Sequence, residues 1–182
     1  MYRSIIFYLL ITLLFTGIHH SIAQVYGTEN GYASFEAKMP LNSYMGETEQ
    51  LNGNIDLGTK DVAFKVPVKS IKTGKEKRDE HMYELLEAEK NPHVNFEGKL
   101  IGDFDLDKQM EQTVEVKGDF TLASTSLPVT ININLRPVEK GLKMTALWSL
   151  LITDYNLERP SFLFVKVDDK HDLKVDALLK EK

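Results

Sequence analysis

No cysteine occurs among the 182 residues. Disulfides, thiolate metal sites, iron–sulfur clusters, cysteine nucleophiles and a lipid-modified N-terminal cysteine are therefore excluded. Positive charge is not in excess either: 22 Lys and Arg stand against 27 Asp and Glu, a net charge of −5. A nucleic-acid binder needs a basic face to displace counterions from phosphate, and this chain is on the wrong side of neutrality. Nucleophile elbow, P-loop and dinucleotide fingerprint are absent, so no enzyme, no catalytic residue, no cofactor and no metal site is expected. Repeats of roughly 20–50 residues and low-complexity tracts are missing as well. What remains is ordinary globular composition, 42% hydrophobic and 27% charged, in a length that suits one domain.

One long apolar run exists, and it stands at the start. Arg3 precedes Ile5 to Ile18, which is interrupted only by Thr12, Thr16 and Gly17, and Ser21-Ile22-Ala23 supplies a small-x-small cleavage pattern. This reads as a secretory signal peptide over residues 1–23, cut before Gln24, with a periplasmic or secreted domain over residues 24–182. The alternative is an uncleaved anchor, but the run of about 14 residues falls short of the roughly 20 needed to span a bilayer. No later segment is apolar enough for a membrane helix, so no stable membrane span is expected. Cleavage removes one Arg and no acid, taking the net charge to −6.

The remainder alternates with period two. Val62, Phe64, Val66 and Val68 share one face; so do Val114, Val116, Gly118, Phe120 and Leu122; so do Val129, Ile131, Ile133 and Leu135; and Leu142, Met144, Ala146, Trp148, Leu150 and Ile152 make the longest such face. Weaker runs are Ala33/Phe35/Ala37/Met39, Leu51/Gly53/Ile55/Leu57, Val94/Phe96/Gly98/Leu100 and Leu173/Val175/Ala177, with an extra piece at Phe162 to Val167. A period of two is a strand with one buried face. Only Asp79 to Glu89 departs, with Met82, Leu85 and Leu86 at helical spacing and Asn91-Pro92 as its stop. The expected fold is all-β: an eight-stranded antiparallel barrel with one short helix, closure removing the sheet edges. An outer-membrane barrel would carry aromatic girdles and reversed faces, and usually a strand running to its end; Leu178-Leu179-Lys180-Glu181-Lys182 and the charged helix do not fit it.

An ordered series of short motifs resembles the YceI-like family. It runs from Lys77-Arg78-Asp79-Glu80-His81-Met82 through Asn91-Pro92 and Val94-Asn95-Phe96-Glu97-Gly98 to Gly118-Asp119-Phe120-Thr121-Leu122, then Asp154-Tyr155-Asn156 and Arg159-Pro160. It covers roughly Gly31 to Ala177. The resemblance implies a lipocalin-like barrel whose lumen holds a polyisoprenoid, a quinone tail or a fatty acid, in an exported protein often tied to stress responses. One departure is Ala123-Ser124-Thr125-Ser126-Leu127, where the family carries His-Gly-x-Thr-Lys.

The residues argue for a lipid independently. Inward faces carry no charge in the best strands, so a polar ligand finds few partners there. Small inward residues, Ala33, Ala37, Gly53, Gly98, Gly118 and Ala146, leave either a cavity or an interlocked core, and eight strands lie at the boundary between those outcomes. Burial of one CH₂ contributes about 0.8 kcal/mol against an association cost of roughly 4–15 kcal/mol. Some 20 carbons supply about 16 kcal/mol and bind without a polar anchor. The expected wall is Phe35, Phe64, Val66, Phe96, Phe120, Ile131, Ile133, Met144 and Trp148, with His81, Met82 and Leu85 at a mouth covered by the helix as lid. The expected partner is a long-chain isoprenoid or other lipid, with a homodimer left open. Two rivals are a ligand-free interaction module of the cell envelope and an enzyme using His81 with a carboxylate. His93 has no close carboxylate at ligand spacing, and His171 among Asp168, Asp169 and Asp172 reads as a solvated acidic turn rather than a calcium site. Lys60, Lys65, Lys69, Lys72, Lys75 and Lys77 read as a solvated outer face, with anionic-lipid contact as the alternative.

Overall fold

The computed structural model describes residues 24–182 other than 41, 163 and 164. The leader, its anchor alternative and the cleavage point lie outside the described residues. In chain order the elements are β1 (Val25–Met39), β2 (Asn42–Asp56), β3 (Asp61–Pro67), α1 (Glu76–Leu85), β4 (His93–Ile101), β5 (Gln112–Leu122), β6 (Thr125–Val138), β7 (Gly141–Leu151), β8 (Ser161–Phe162), β9 (Val165–Lys166) and β10 (Lys170–Glu181). Eight strands close a barrel in the order β1-β10-β7-β6-β5-β4-β3-β2, every ladder antiparallel. The piece expected at Phe162 to Val167 is instead a separate two-stranded ribbon of β8 and β9 outside the barrel.

The period-two faces point inward as their alternation requires. Val114, Val116 and Phe120 are buried, as are Ile131, Ile133 and Leu135, and Leu142, Met144 and Ala146. Gly98 and Gly118 face each other across β4 and β5. A Cβ on either would collide with the other strand's backbone. These two glycines therefore serve close strand approach and leave no void.

Two of the eight ladders stop short, and this positions the cavity. The β2–β3 ladder covers only Asn52–Ile55 against Val62–Lys65, and the β6–β7 ladder only Ile133–Val138 against Gly141–Ala146. At one end, then, all eight ladders close the barrel, with one irregularity where Thr28–Gly31 of β1 and Ala177–Leu179 of β10 lose register. At the other, a β3-β4-β5-β6 sheet parts from a β7-β10-β1-β2 sheet along two seams. In the closed half Ile55, Leu135, Leu142 and Leu179 are completely buried. Each such side chain contributes about 1.5–3 kcal/mol of transfer free energy.

Two connecting segments fill the parted seams. Along β2, Glu47 and Lys72 exchange backbone hydrogen bonds at 2.9 Å, and the hydroxyls of Thr48 and Ser70 meet at 2.8 Å. Along β6, Thr125 Oγ1 donates to the Tyr155 carbonyl at 3.1 Å. A second hydrophobic cluster forms where the segments meet, from Val68, Leu86, Ala88, Phe120, Ile152, Tyr155 and Leu157. The helix itself starts three residues before the expected Asp79 and stops at Leu85 rather than Glu89. Glu87 turns left-handed (φ 48°), Ala88 N–H bonds Tyr83 O and Glu87 N–H bonds Glu84 O. That is the Schellman closure, here made without glycine.

Candidate functional site

The parted half of the barrel encloses a cavity of about 740 Å³, within the range typical of sites for small organic ligands. Its wall comes from both sheets. Phe64, Val66, Phe96 and Phe120 face Ala33, Phe35, Trp148, Leu173 and Val175, while Met82, Leu85 and Leu86 descend from α1. Aromatic edges hold the wall in shape. Phe120 meets Trp148 and Tyr155 edge-on, both with centroids 5.9 Å apart, and Phe35 meets Tyr44 edge-on at 6.2 Å. Trp148 Nε1 is buried and has no hydrogen-bond partner, the one such side-chain nitrogen or oxygen among the described residues.

Six of the nine expected wall residues, Phe35, Phe64, Val66, Phe96, Phe120 and Trp148, line this cavity, as do His81, Met82 and Leu85. Ile131, Ile133 and Met144 do not. They lie deeper, packed with Val114, Val116, Leu135 and Leu142, because the sheets there approach closely enough for side chains to fill the space. The lumen is thus solid at one end and hollow at the other, combining the two outcomes that eight strands permit.

The sequence reading overlooked the first half of β2. Tyr44, Gly46 and Thr48 line the cavity, yet they sit in Asn-Ser-Tyr-Met-Gly-Glu-Thr-Glu-Gln, where no apolar alternation is visible. An irregularity opposite β1 shifts the register between Gly31↔Leu51 and Ala33↔Thr48. Inward parity therefore passes from even positions to odd ones, and a bulge of this kind conceals a strand from a period-two scan.

The start of α1 is anchored by a polar lock. Asp79 is buried and accepts from Thr73 twice, from N–H at 2.8 Å and from Oγ1 at 2.6 Å. Arg78 donates through Nε to Thr73 Oγ1 (3.0 Å) and through a terminal nitrogen to the Thr73 carbonyl (2.9 Å). Its guanidinium also lies over the Tyr44 ring, 4.1 Å from the centroid, and burial pushes the Tyr44 hydroxyl pKa up. Tyr83 donates to the Ile71 carbonyl at 2.8 Å and accepts from Lys72 Nζ at 2.7 Å. His81 is exposed in mid-helix, and its side chain makes no hydrogen bond or ion pair among the described residues. His171 is buried against Phe35, ring centroids 5.8 Å apart, with Nδ1 3.1 Å from the Asp169 carbonyl. Among the described residues no group of three or more His, Asp or Glu could hold a metal ion, and no helix is long and apolar enough to cross a membrane.

Comparison with known proteins accords with this architecture. No curated relative matches the sequence. Among solved structures, a polyisoprenoid binding domain from Saccharophagus degradans superposes with a TM-score of 0.71 at 11% identity, over 88% of this chain and 99% of that one. Burkholderia cenocepacia BcnA gives 0.67 at 13%, over 82% and 94%. A Campylobacter jejuni YceI protein gives 0.56 at 16%, over 92% and 91%. At these identities the likeness is one of fold. The profile of the YceI-like domain matches residues 19–179, and with nearly the whole barrel inside that match the chain belongs to the YceI-like family.

Proposed function

We propose that the chain binds one long apolar molecule of polyisoprenoid type, its tail lying in the cavity between the parted sheets, and carries or sequesters it outside the cytoplasm after removal of residues 1–23. The observation that carries this reading is the contrast within one barrel. The closed half is packed solid, whereas the parted half keeps about 740 Å³ walled by Phe, Val, Leu and Trp side chains. A void lined by apolar groups forfeits dispersion contacts that a chain of CH₂ and CH₃ groups restores. A tail of about 20 carbons gains on the order of 16 kcal/mol on leaving water, enough to exceed the cost of association. The similarity in fold to a domain described as polyisoprenoid binding supports the same class of ligand. In this reading the cavity is a wall and not a catalyst, and His81 is one of its lining residues.

Native mass spectrometry of protein exported and purified from its own host tests the proposal. The expected result is an additional mass of prenyl length, released by organic solvent. Bare protein, both as purified and after incubation with geranylgeraniol, would remove the carrier reading.

A further inference from the structure

The inward side chains of the strands change from partly exposed to sealed at one level of the barrel. On β7, Leu150 and Trp148 face inward and line the cavity yet keep accessible surface, whereas Ala146, Met144 and Leu142 fall to 7%, 3% and 0%. On β10, Leu173 and Val175 line the cavity and are partly exposed, and Ala177 and Leu179 beyond them are buried. Ala33, Val175, Ala146 and Ile133 are register partners in turn across β1, β10, β7 and β6. Ala33 and Val175 line the cavity, and Ala146 and Ile133 do not. The hollow therefore ends at this row.

Nothing continues it below. A side chain with no accessible surface borders no space that a methyl group could enter, and Ile55, Leu135, Leu142 and Leu179 have none. Phe104 and Leu106, from the connection between β4 and β5, pack against the same core. The space above the row is finite. Benzene fits an engineered apolar cavity of about 150 Å³, roughly 25 Å³ per carbon. At that packing the cavity of about 740 Å³ seats roughly 30 carbons, or roughly six isoprene units. Each further carbon finds no wall, and the burial it forgoes is worth about fourfold in affinity. A tail drawn from a micelle or a membrane thus gains by length only until the space is full. Past that point the surplus carbons exchange a lipid phase for water.

From this we propose that the row Ala33, Val175, Ala146 and Ile133 is a floor that measures tail length, so that the chain selects prenyl tails of about five or six isoprene units and rejects longer ones. The proposal rests on the carrier reading and adds the size of the tail. Two of the four floor positions are alanine, and Ala33 is one that lines the cavity. A larger side chain at Ala33 therefore rises into empty space and not into packed core, which makes the floor adjustable by substitution.

Prenols of every length from farnesol to solanesol, three to nine isoprene units, are offered together in equal amounts in detergent micelles to the full exported protein. The protein is re-isolated by gel filtration, and the bound prenols are extracted and quantified by mass spectrometry. Recovery is expected to rise to about five or six units, with solanesol at least about a hundredfold below the best ligand. Ala33→Phe adds roughly six carbons at the floor and moves the best length down by about one unit. The double variant Leu51→Ala and Val66→Ala removes roughly five carbons from the wall and moves it up by about one unit, since both residues are buried and line the cavity. Ala33→Phe takes nothing out of the core, so it keeps the test decisive if the double variant fails to fold. Recovery that is flat with length, or that rises all the way to solanesol, overturns the floor as a ruler and leaves the carrier standing. A maximum that stays at the same length in Ala33→Phe overturns this row as the stop. Recovery of no prenol at any length overturns the carrier reading and the ruler with it.

Discussion

His171 couples the cavity wall to solution acidity. It lines the cavity, is buried, and lies against Phe35. Burial holds its pKa below the ordinary histidine value, outweighing the upward pull of the Asp169 carbonyl and of the Asp169, Asp172 and Asp168 carboxylates. The neutral ring therefore belongs to the folded state, and the unfolded chain, titrating near about 6.5, takes up its proton first as the pH falls. In that window the unfolded state binds more protons, so folded stability is complete above it and is lost progressively down to the depressed native value. We expect the melting temperature to decline between pH 7.5 and 5.5, and His171→Gln to flatten that decline. A decline of the same steepness in the variant would place its origin elsewhere, with His81 and His93 the remaining histidines of the barrel domain.

The helix owes its place to polar hooks more than to its narrow apolar stripe. Asp79 engages Thr73 through both N–H and hydroxyl. Asp79→Ala strands a buried N–H, at a cost of about 1–3 kcal/mol. The expected outcome is a cooperative loss of that size in urea unfolding, with protease cleavage appearing first between Ile71 and Pro92 while the strand circular dichroism persists. Barrel and helix melting together without early cleavage would show that the lock does not set the mouth. None of this was visible in the linear chain. A Thr six residues before an Asp carries no pattern, and the helix start went unseen because Lys75 caps it without any side-chain hydrogen bond. Its end was missed for a related reason: Glu87 takes the left-handed position that usually announces itself as Gly or Asn. Strands with a continuous inward face, such as Leu142 to Leu150, were legible end to end because burial on one side imposes period two. β1 and β2 were legible only in part, since Thr28 to Gly31 and the stretch opposite it change register and move the inward parity. Six of the nine expected wall residues lie on the cavity, and they came with the strands. How deep each one lies was not, because depth depends on where the β2–β3 and β6–β7 ladders stop, and no local composition marks that point.

Those two interrupted ladders divide the barrel into halves of unequal stability. In the closed half the strands have partners on both sides except where β1 and β10 lose register, at Thr28–Gly31 and Ala177–Leu179, and the interior is filled by side chains such as Ile55, Leu135, Leu142 and Leu179, all at 0% exposure. In the parted half, residues 42–50 of β2, 125–132 of β6 and 147–151 of β7 have a ladder on one side only, apart from the single Glu47–Lys72 bridge. Their interior is cavity. Opening the mouth breaks few ladder hydrogen bonds and exposes walls that already lack partners, so it should require less free energy than unfolding the whole. Hydrogen exchange followed by mass spectrometry measures this directly. The slowest amides are expected in Val114–Gly118, Ile133–Leu135 and Leu142–Ala146, exchanging only through global unfolding. Residues 42–50, 125–132 and 147–151, together with α1, should exchange faster through a local opening, and slow markedly once a long-chain lipid fills the cavity. Protection that is uniform along each of β2, β6 and β7 would mean that the seams hold as firmly as the ladders, and a lipid would then need another way in.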